Sequence, residues 1–118
     1  MSDRKRILVV EDEWLLASEL SRRLRSAGHD IVGPAPTVKD AMRAIEATRP
    51  HAAILDVRLD GETTLALAKL LVQCKIPVLF LSGHSAADFS ELGDFPVITK
   101  PADWGVVLNV LQEKLQQE

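Results

Sequence analysis

The sequence contains almost no cysteine and no long apolar run. Cys74 is the only cysteine among 118 residues, so an intramolecular disulfide bond is excluded and a reducing compartment is expected. The apolar stretches are far shorter than the roughly 20 residues that a membrane-spanning helix requires. The N-terminal segment MSDRKR leads directly into a strand pattern and does not look like a secretion signal. These absences favour a cytoplasmic protein without a membrane anchor.

An excess of positive charge is also absent. Fourteen Lys and Arg residues stand against seventeen Asp and Glu residues, which gives a net charge of −3 and argues against nucleic-acid binding. No cluster of cysteine and histidine suggests a zinc site. A hydrophobic content of 47% in 118 residues is typical of one globular domain. The prediction is a single domain over residues 1–118, with no output domain after the last helix pattern.

Five short apolar runs alternate with segments of helical periodicity. The runs are continuous and rich in leucine or β-branched residues, as in strands that are buried on both faces of a parallel sheet. They occupy residues 7–10, 30–33, 52–55, 78–81 and 97–98. The alternation predicts an α/β fold with a doubly wound, five-stranded parallel sheet.

The helices are predicted from apolar stripes and end signals. Gly28 is the expected stop of the first helix, and Thr37 and Asp103 are the expected N-caps of the second and last helices. The segment between Ser82 and Lys100 is too short for a full helix, so residues 83–95 are predicted to form at most one or two helical turns. The predicted stripes are Leu16, Leu20, Leu24 and Ala27; Ala41 and Ile45; Leu67, Leu70 and Leu71; and Val106, Val107, Val110, Leu111 and Leu115.

Polar residues follow four of the predicted strands. Glu11 and Asp12 follow the first strand, Asp56 the third, Ser82 the fourth and Lys100 the fifth. A proline directly after the lysine favours extended geometry at that strand end. Because ligands bind at the carboxyl edge of such sheets, three acids, a hydroxyl and an amine are expected to converge there.

The expected constellation suits phosphoryl transfer assisted by Mg²⁺. Asp12 and Asp56 would repel each other unless a cation lay between them, and carboxylate oxygens suit Mg²⁺, with Glu11 holding one of its waters. A central carboxylate can then act as a nucleophile toward a phosphoryl group. Lys100 would neutralise charge on the transferring group, and Ser82 could donate a hydrogen bond to one of its oxygens.

These motifs together resemble the receiver domain of two-component response regulators. ILVVEDE resembles its first strand with the acidic pair, AAILDVRLDG its phospho-acceptor segment, VLFLSG its hydroxyl position and VITKP its lysine, followed by a cis proline bond. The resemblance implies a flavodoxin-like fold, Asp56 as the acceptor, and a Mg²⁺ shell completed by the backbone carbonyl of Arg58. It also implies a histidine kinase or a histidine-phosphotransfer protein as donor, and chemistry limited to the domain's own phosphorylation and dephosphorylation.

Three features depart from the common pattern of this family. The Met-Pro pair that often follows the acceptor is missing, Val97 stands where a tyrosine or phenylalanine switch residue is common, and the segment after Ser82 is short. In these traits the chain resembles small receivers associated with atypical histidine kinases of alphaproteobacteria. Ser82 and Val97 occupy the switch positions. Because Val97 is small and stiff at χ1, it is not expected to act as a rotating switch. Residues 83–95 have few large apolar groups to anchor them and are instead expected to carry the output by changing their order.

Three functions remain open at this point. The first is a stand-alone receiver that signals through an unknown downstream protein or acts as a phosphate sink. The second is a receiver-like adapter that binds partners without being phosphorylated. The third is a Mg²⁺-dependent phosphatase with an aspartate nucleophile, which ranks last because Arg58 stands where that chemistry needs a second aspartate. The chain could equally be a domain of a larger regulator.

Overall fold

A computed structural model describes residues 4–59, 61–83 and 91–116. The five strands of its main sheet are β1 (Arg6–Val10), β2 (Asp30–Ala35), β3 (Ala52–Asp56), β6 (Val78–Ser82) and β7 (Val97–Thr99). They are parallel and lie in the order β2-β1-β3-β6-β7. The helices are α1 (Trp14–Ser26), α2 (Val38–Ala47), α3 (Leu65–Gln73) and α4 (Trp104–Gln116). The predicted doubly wound α/β fold is confirmed.

A short hairpin between β3 and α3 was not predicted. It consists of β4 (Arg58–Leu59) and β5 (Glu62–Thr63), which pair in antiparallel fashion. Strands of two residues carry too few side chains to show a period in the sequence, and the segment reads as an ordinary loop. The hairpin matters because it begins directly beside Asp56.

The sheet separates two apolar cores. Leu8, Val10 and Phe80 face one core, which the buried residues of α2 and α3 complete. Ile7 and Val9 face the other core, which is completed by α1 and α4. Successive strand residues therefore point to opposite helical layers, and both faces are covered, which explains why the predicted strand runs are continuously apolar.

The helix stripes were predicted correctly only in part. Leu20 and Leu24 are buried in α1 as expected, but Ala27 is exposed because it is the C-cap, where the chain leaves the helix. Leu70 and Val106 are also exposed, at 37% and 45%. In α3 the buried row is Leu67, Ala68 and Leu71, and an apolar residue beside that row cannot be distinguished from it by spacing alone.

The predicted helix ends are confirmed. The Thr37 side chain accepts a hydrogen bond from the Asp40 amide at 3.0 Å, and Asp103 Oδ1 accepts one from the Gly105 amide at 2.9 Å. Gly28 follows α1 with a φ of +93°, and the next amide, that of His29, bonds back to the Leu24 carbonyl at 3.0 Å. A glycine just past a helix end permits this left-handed turn.

Strand β2 is longer than predicted because it contains an irregularity at Gly33. The pairing register between β1 and β2 shifts there, and Gly33 has a φ of +99°. Past the shift, the Ala35 carbonyl accepts a hydrogen bond from the Glu11 amide at 3.0 Å. The irregular part of β2 therefore ties down the backbone of the residue that begins the acidic pair. The Gly33–Pro34 and Lys100–Pro101 bonds are cis, the second as expected.

The segment predicted to form a short helix lies largely outside the described residues. The expectation covers 83–95, and residues 84–90 belong to the part that is not described. Within 91–95, Leu92 is buried, and the Phe95 ring meets the Phe80 ring edge-on at a centroid distance of 5.2 Å. Across the described ranges, no helix is long and apolar enough to span a membrane.

Candidate functional site

The carboxyl edge of the sheet brings the predicted polar residues to one place. Glu11 and Asp12 directly follow β1, Asp56 ends β3, Ser82 ends β6 and Lys100 follows β7. The strand order places β1 next to β3, while the first crossover leads from β1 to β2 on the other side. This is the point where the strand order reverses, and a crevice opens at such a point in doubly wound sheets.

Three carboxyl groups form a cluster in this crevice. Glu11, Asp12 and Asp56 each offer an oxygen, and these oxygens all lie within 4.8 Å of one another. Glu11 and Asp56 are buried, whereas Asp12 is exposed. Two buried carboxyl groups so close together repel each other when both are ionised, so the cluster requires a compensating positive charge.

Lys100 supplies positive charge to the buried pair. Its Nζ lies 3.0 Å from Glu11 Oε1 and donates a hydrogen bond to Asp56 Oδ2 at 3.1 Å. The Lys100 amide also donates to the Ser82 carbonyl at 2.8 Å, which fixes the start of the side chain at the end of β6. The lysine that was expected to face acids does so.

Burial and the two acids act in opposite directions on Lys100. Burial of the ammonium group disfavours its charged form, but the Glu11 and Asp56 carboxylates outweigh this effect and raise the pKa of Lys100 above 10.5. Lys100 is therefore a permanent cation at neutral pH.

Glu11 has an unusual environment for a carboxyl group. Burial, followed by the charge of Asp56, raises the pKa of Glu11 from 4.5 to about 7, although Lys100 and the Glu13 amide act against this shift. Glu11 Oε2 accepts a hydrogen bond from the Glu13 amide at 3.1 Å. Oε1 is buried, and apart from its ion pair with Lys100 no donor in the described structure is aligned to bond it.

The donor set fits a divalent cation of the Mg²⁺ type. Such an ion prefers carboxylate oxygens and keeps several waters, which suits two buried carboxyl groups beside an exposed Asp12. The buried Glu11 Oε1, which has Lys100 as its charged neighbour and no further donor in the described structure, is an oxygen that a hydrated cation could also contact. Glu11, Asp12 and Asp56 could therefore hold a metal ion at this edge.

The remaining predicted site residues are Ser82, Arg58 and Val97. Ser82 is fully buried at the end of β6. The Arg58 amide lies 3.4 Å from Asp56 Oδ1, so the chain after the acid turns back toward its side chain. Val97 is partly buried against the core that contains Phe80 and has no contact with the carboxyl cluster among the interactions described.

One residue of the site was missed by the sequence analysis. Thr64 is fully buried, and its hydroxyl donates a hydrogen bond to the Asp56 carbonyl at 2.6 Å. In the sequence it is the second of two threonines before an apolar helix, a pattern that reads as a helix start. The paired threonines were the only signal in the sequence, and they did not reveal the contact with Asp56.

The raised pKa of Glu11 predicts how the stability of the metal-free protein depends on pH. The folded state keeps the Glu11 proton up to about pH 7, whereas the unfolded chain loses it near 4.5. The free energy of unfolding should therefore fall by up to about 3 kcal/mol as the pH rises through this window. Glu11→Gln should reduce this fall and be more stable than wild type at pH 8.

Urea unfolding followed by circular dichroism, with EDTA present, measures this effect. Glu46→Gln removes an exposed acid of α2 and should keep the wild-type slope. An equally steep fall in Glu11→Gln would assign the pH dependence to another group.

Sequence comparisons agree with this geometry. The profile of the response regulator receiver domain matches residues 7–112. The phyllosphere-induced regulator PhyR of Methylorubrum extorquens is 36% identical over 81 residues, which cover 66% of this chain and 30% of PhyR. The transcriptional regulatory protein PdtaR of Mycobacterium tuberculosis is 31% identical over 88 residues, which cover 74% of this chain and 43% of PdtaR. The chain thus spans less than half the length of these two relatives.

Solved structures give the same result. The solution structure of the receiver domain of Erythrobacter litoralis PhyR superimposes with a TM-score of 0.84 at 29% identity, covering 95% of this chain and 90% of that one. The crystal structure of PhyR from Brucella abortus gives a TM-score of 0.81 at 28% identity, covering 96% of this chain and 48% of that one. The similarity therefore extends over nearly the whole of this chain.

Proposed function

Because the chain belongs to the family of response regulator receiver domains, we propose that it is a phosphorylation-switched receiver whose acceptor is Asp56. The pair of Asp56 and Lys100 supports this assignment most directly. The acid ends the central strand, and the lysine ammonium is hydrogen-bonded to Asp56 Oδ2 at 3.1 Å. That geometry holds a cation where a transferred phosphoryl group would carry negative charge.

The donor in this proposal is a phosphohistidine on a histidine kinase or a histidine-phosphotransfer protein. An Asp56 carboxylate oxygen attacks phosphorus, a new O–P bond forms, and the P–N bond to the donor imidazole breaks. The electron pair of that bond stays on the imidazole nitrogen. Lys100 remains beside the phosphoryl oxygens, and the Ser82 hydroxyl donates a hydrogen bond to one of them.

Glu11, Asp12 and Asp56, together with the backbone carbonyl of Arg58, are proposed to hold Mg²⁺. When bound, the ion neutralises charge on the phosphoryl oxygens during the transfer. The cluster of oxygens within 4.8 Å and the excess of acid over Lys100 support the three carboxyl ligands, and the Arg58 carbonyl is the ligand that the family resemblance implies. Three carboxyl groups against one ammonium leave a negative site that a divalent cation would balance.

The proposed readout is a change at the carboxyl edge that a protein partner recognises. Ser82 is the first switch residue, since a hydroxyl that bonds the phosphoryl group pulls on the chain that follows it. Val97 is the second position of the family switch, and its packing against the core of Phe80 supports a small movement at most. The downstream target is proposed to be a protein, with no role in nucleic-acid or membrane binding, and the cytoplasm is the proposed location.

Intact mass measurement with a small phosphodonor tests the proposal. Incubation with acetyl phosphate and Mg²⁺ should add the mass of one phosphoryl group per chain, and EDTA should prevent the addition. Transfer from purified, autophosphorylated histidine kinases would then identify the physiological donor. If no phosphoryl group is added by either route in the presence of Mg²⁺, the chain is better described as a receiver-like adapter.

A further inference from the structure

The segment that leaves Asp56 closes on itself. Within it, Arg58 pairs with Thr63 across the β4–β5 hairpin. Directly after the hairpin, the Thr64 amide donates a hydrogen bond to the Val57 carbonyl at 2.8 Å. Val57 and Thr64, the two ends of this segment, therefore meet at the end of β3, beside the acid.

The Thr64 side chain completes this closure. It is fully buried, and its Oγ1 lies 2.6 Å from the Asp56 carbonyl oxygen and 3.2 Å from the Val57 carbonyl oxygen. A threonine hydroxyl carries one proton, so the shorter contact is its hydrogen bond. The peptide group between Asp56 and Val57 is thus fixed by a hydrogen bond from Thr64, the residue at the other end of this segment.

This use of the hydroxyl is not the ordinary one for its position. Thr64 is the residue before α3, where a threonine side chain usually accepts a hydrogen bond from a helix amide, yet Thr64 makes no such bond. Thr63 accepts one instead, from the Leu65 amide at 3.2 Å. The two neighbouring threonines therefore make different hydrogen bonds. Thr63 bonds to the start of the helix, and the buried Thr64 bonds to the backbone carbonyl of Asp56.

We propose that Thr64 is a positioning residue for the acceptor site, an inference that rests on the proposed function. Isolated two-stranded hairpins are only marginally stable, so the β4–β5 hairpin needs a further contact to hold its position. The hydrogen bond from the Thr64 hydroxyl to the Asp56 carbonyl provides that contact. It thereby fixes the Asp56 side chain relative to the Arg58 backbone, whose amide lies 3.4 Å from Asp56 Oδ1.

The consequence is that Thr64 affects both the affinity for the metal ion and the rate of phosphoryl transfer, although it contacts neither the ion nor the phosphoryl group. Some residues hydrogen-bond to a metal-binding residue without contacting the metal. Their substitution typically lowers metal affinity or activity by about 10- to 100-fold. Thr64→Val keeps the shape and the backbone hydrogen bond to Val57 but removes the hydroxyl. We expect it to raise the Kd for Mg²⁺ and to lower the rate of phosphorylation, each by about ten-fold.

The experiment compares Thr64→Val with Thr64→Ser, which restores the hydroxyl. Tryptophan fluorescence reports Mg²⁺ binding, since Trp14 lies two residues after Asp12 and is largely exposed, and acetyl phosphate provides the phosphorylation rate. Thr64→Ser should stay within about two-fold of wild type in both quantities. Thr48→Val makes the same change at an exposed threonine after α2 and should change neither.

Three results are distinguishable. Wild-type Mg²⁺ affinity and phosphorylation rate in Thr64→Val, even with a lower Tm, would overturn the positioning role and leave the proposed function intact. If Thr64→Val does not fold, Thr64→Ser and Thr64→Ala differ by the hydroxyl alone, and equal affinities and rates in that pair would overturn the role in the same way. If wild type itself takes up neither Mg²⁺ nor a phosphoryl group, the proposed function fails and this inference fails with it.

Discussion

Asp56→Asn should reduce phosphorylation by acetyl phosphate from about one phosphoryl group per chain to background. Asparagine keeps the size of the side chain but has no carboxylate oxygen that can attack phosphorus. It can still receive the hydrogen bond from Lys100, which reaches Asp56 Oδ2 at 3.1 Å in wild type, so the fold should be preserved. Intact mass spectrometry after incubation with Mg²⁺ measures the loss.

A charge-matched control separates chemistry from electrostatics. Asp94→Asn also removes one negative charge, but at an exposed carboxyl group outside the cluster, and it should be phosphorylated like wild type. Full labelling of Asp56→Asn would show that another residue accepts the phosphoryl group. Peptide mapping of the labelled wild type would then identify that residue.

Gly33→Ala should destabilise the protein by about 3 kcal/mol, a lowering of Tm by roughly 10 °C for a domain of this size. A Cβ at this position would lie 2.8 Å from the Ala35 amide nitrogen and 3.0 Å from the Val9 carbonyl oxygen. Both neighbours are backbone atoms of the sheet and cannot move aside without loss of strand pairing. The φ of +99° adds a conformational cost for any residue with a Cβ.

Gly28→Ala is the matched control for this prediction. Gly28 has a similar φ of +93°, but in the described structure a Cβ there would have no heavy atom within 4 Å apart from those of Gly28 itself and its two chain neighbours. It should therefore lose about 1 kcal/mol, the conformational cost alone. Thermal unfolding of both variants, followed by circular dichroism, makes the comparison. Equal losses in the two variants would show that the backbone near Gly33 relaxes around the added methyl group.

The strands and the fold class could be predicted because burial on both faces of the sheet leaves continuous apolar runs. The two cores on opposite sides of β1 require Ile7 and Val9 as much as Leu8 and Val10, and an exposed or one-sided strand would not need such a run. The register shift at Gly33 could not be predicted, because it depends on how β2 lies against the β1 backbone. Helix faces were ambiguous for the same kind of reason, as the exposed Leu70 shows.

The carboxyl cluster could be predicted from strand ends alone. Parallel strands place their last residues at one edge, so Asp56 and Lys100 could be expected at the same edge once the strands were identified, although β6 lies between their strands. The role of Thr64 depends instead on the path of a closed loop and on the direction of one hydroxyl group. Neither of these can be inferred from residue spacing or local motifs, and a threonine before a helix more commonly caps that helix.

The two edge strands of the sheet also affect whether molecules of this protein can associate through their β-strands at high concentration. An exposed strand edge is a template to which another polypeptide can add through its main chain. Here β2 contains the register shift and Pro34, which has no N–H to offer, and β7 is only three residues long. Pro96 and Pro101 flank β7 closely on either side. Both edge strands therefore carry features that disfavour the addition of a strand from another molecule.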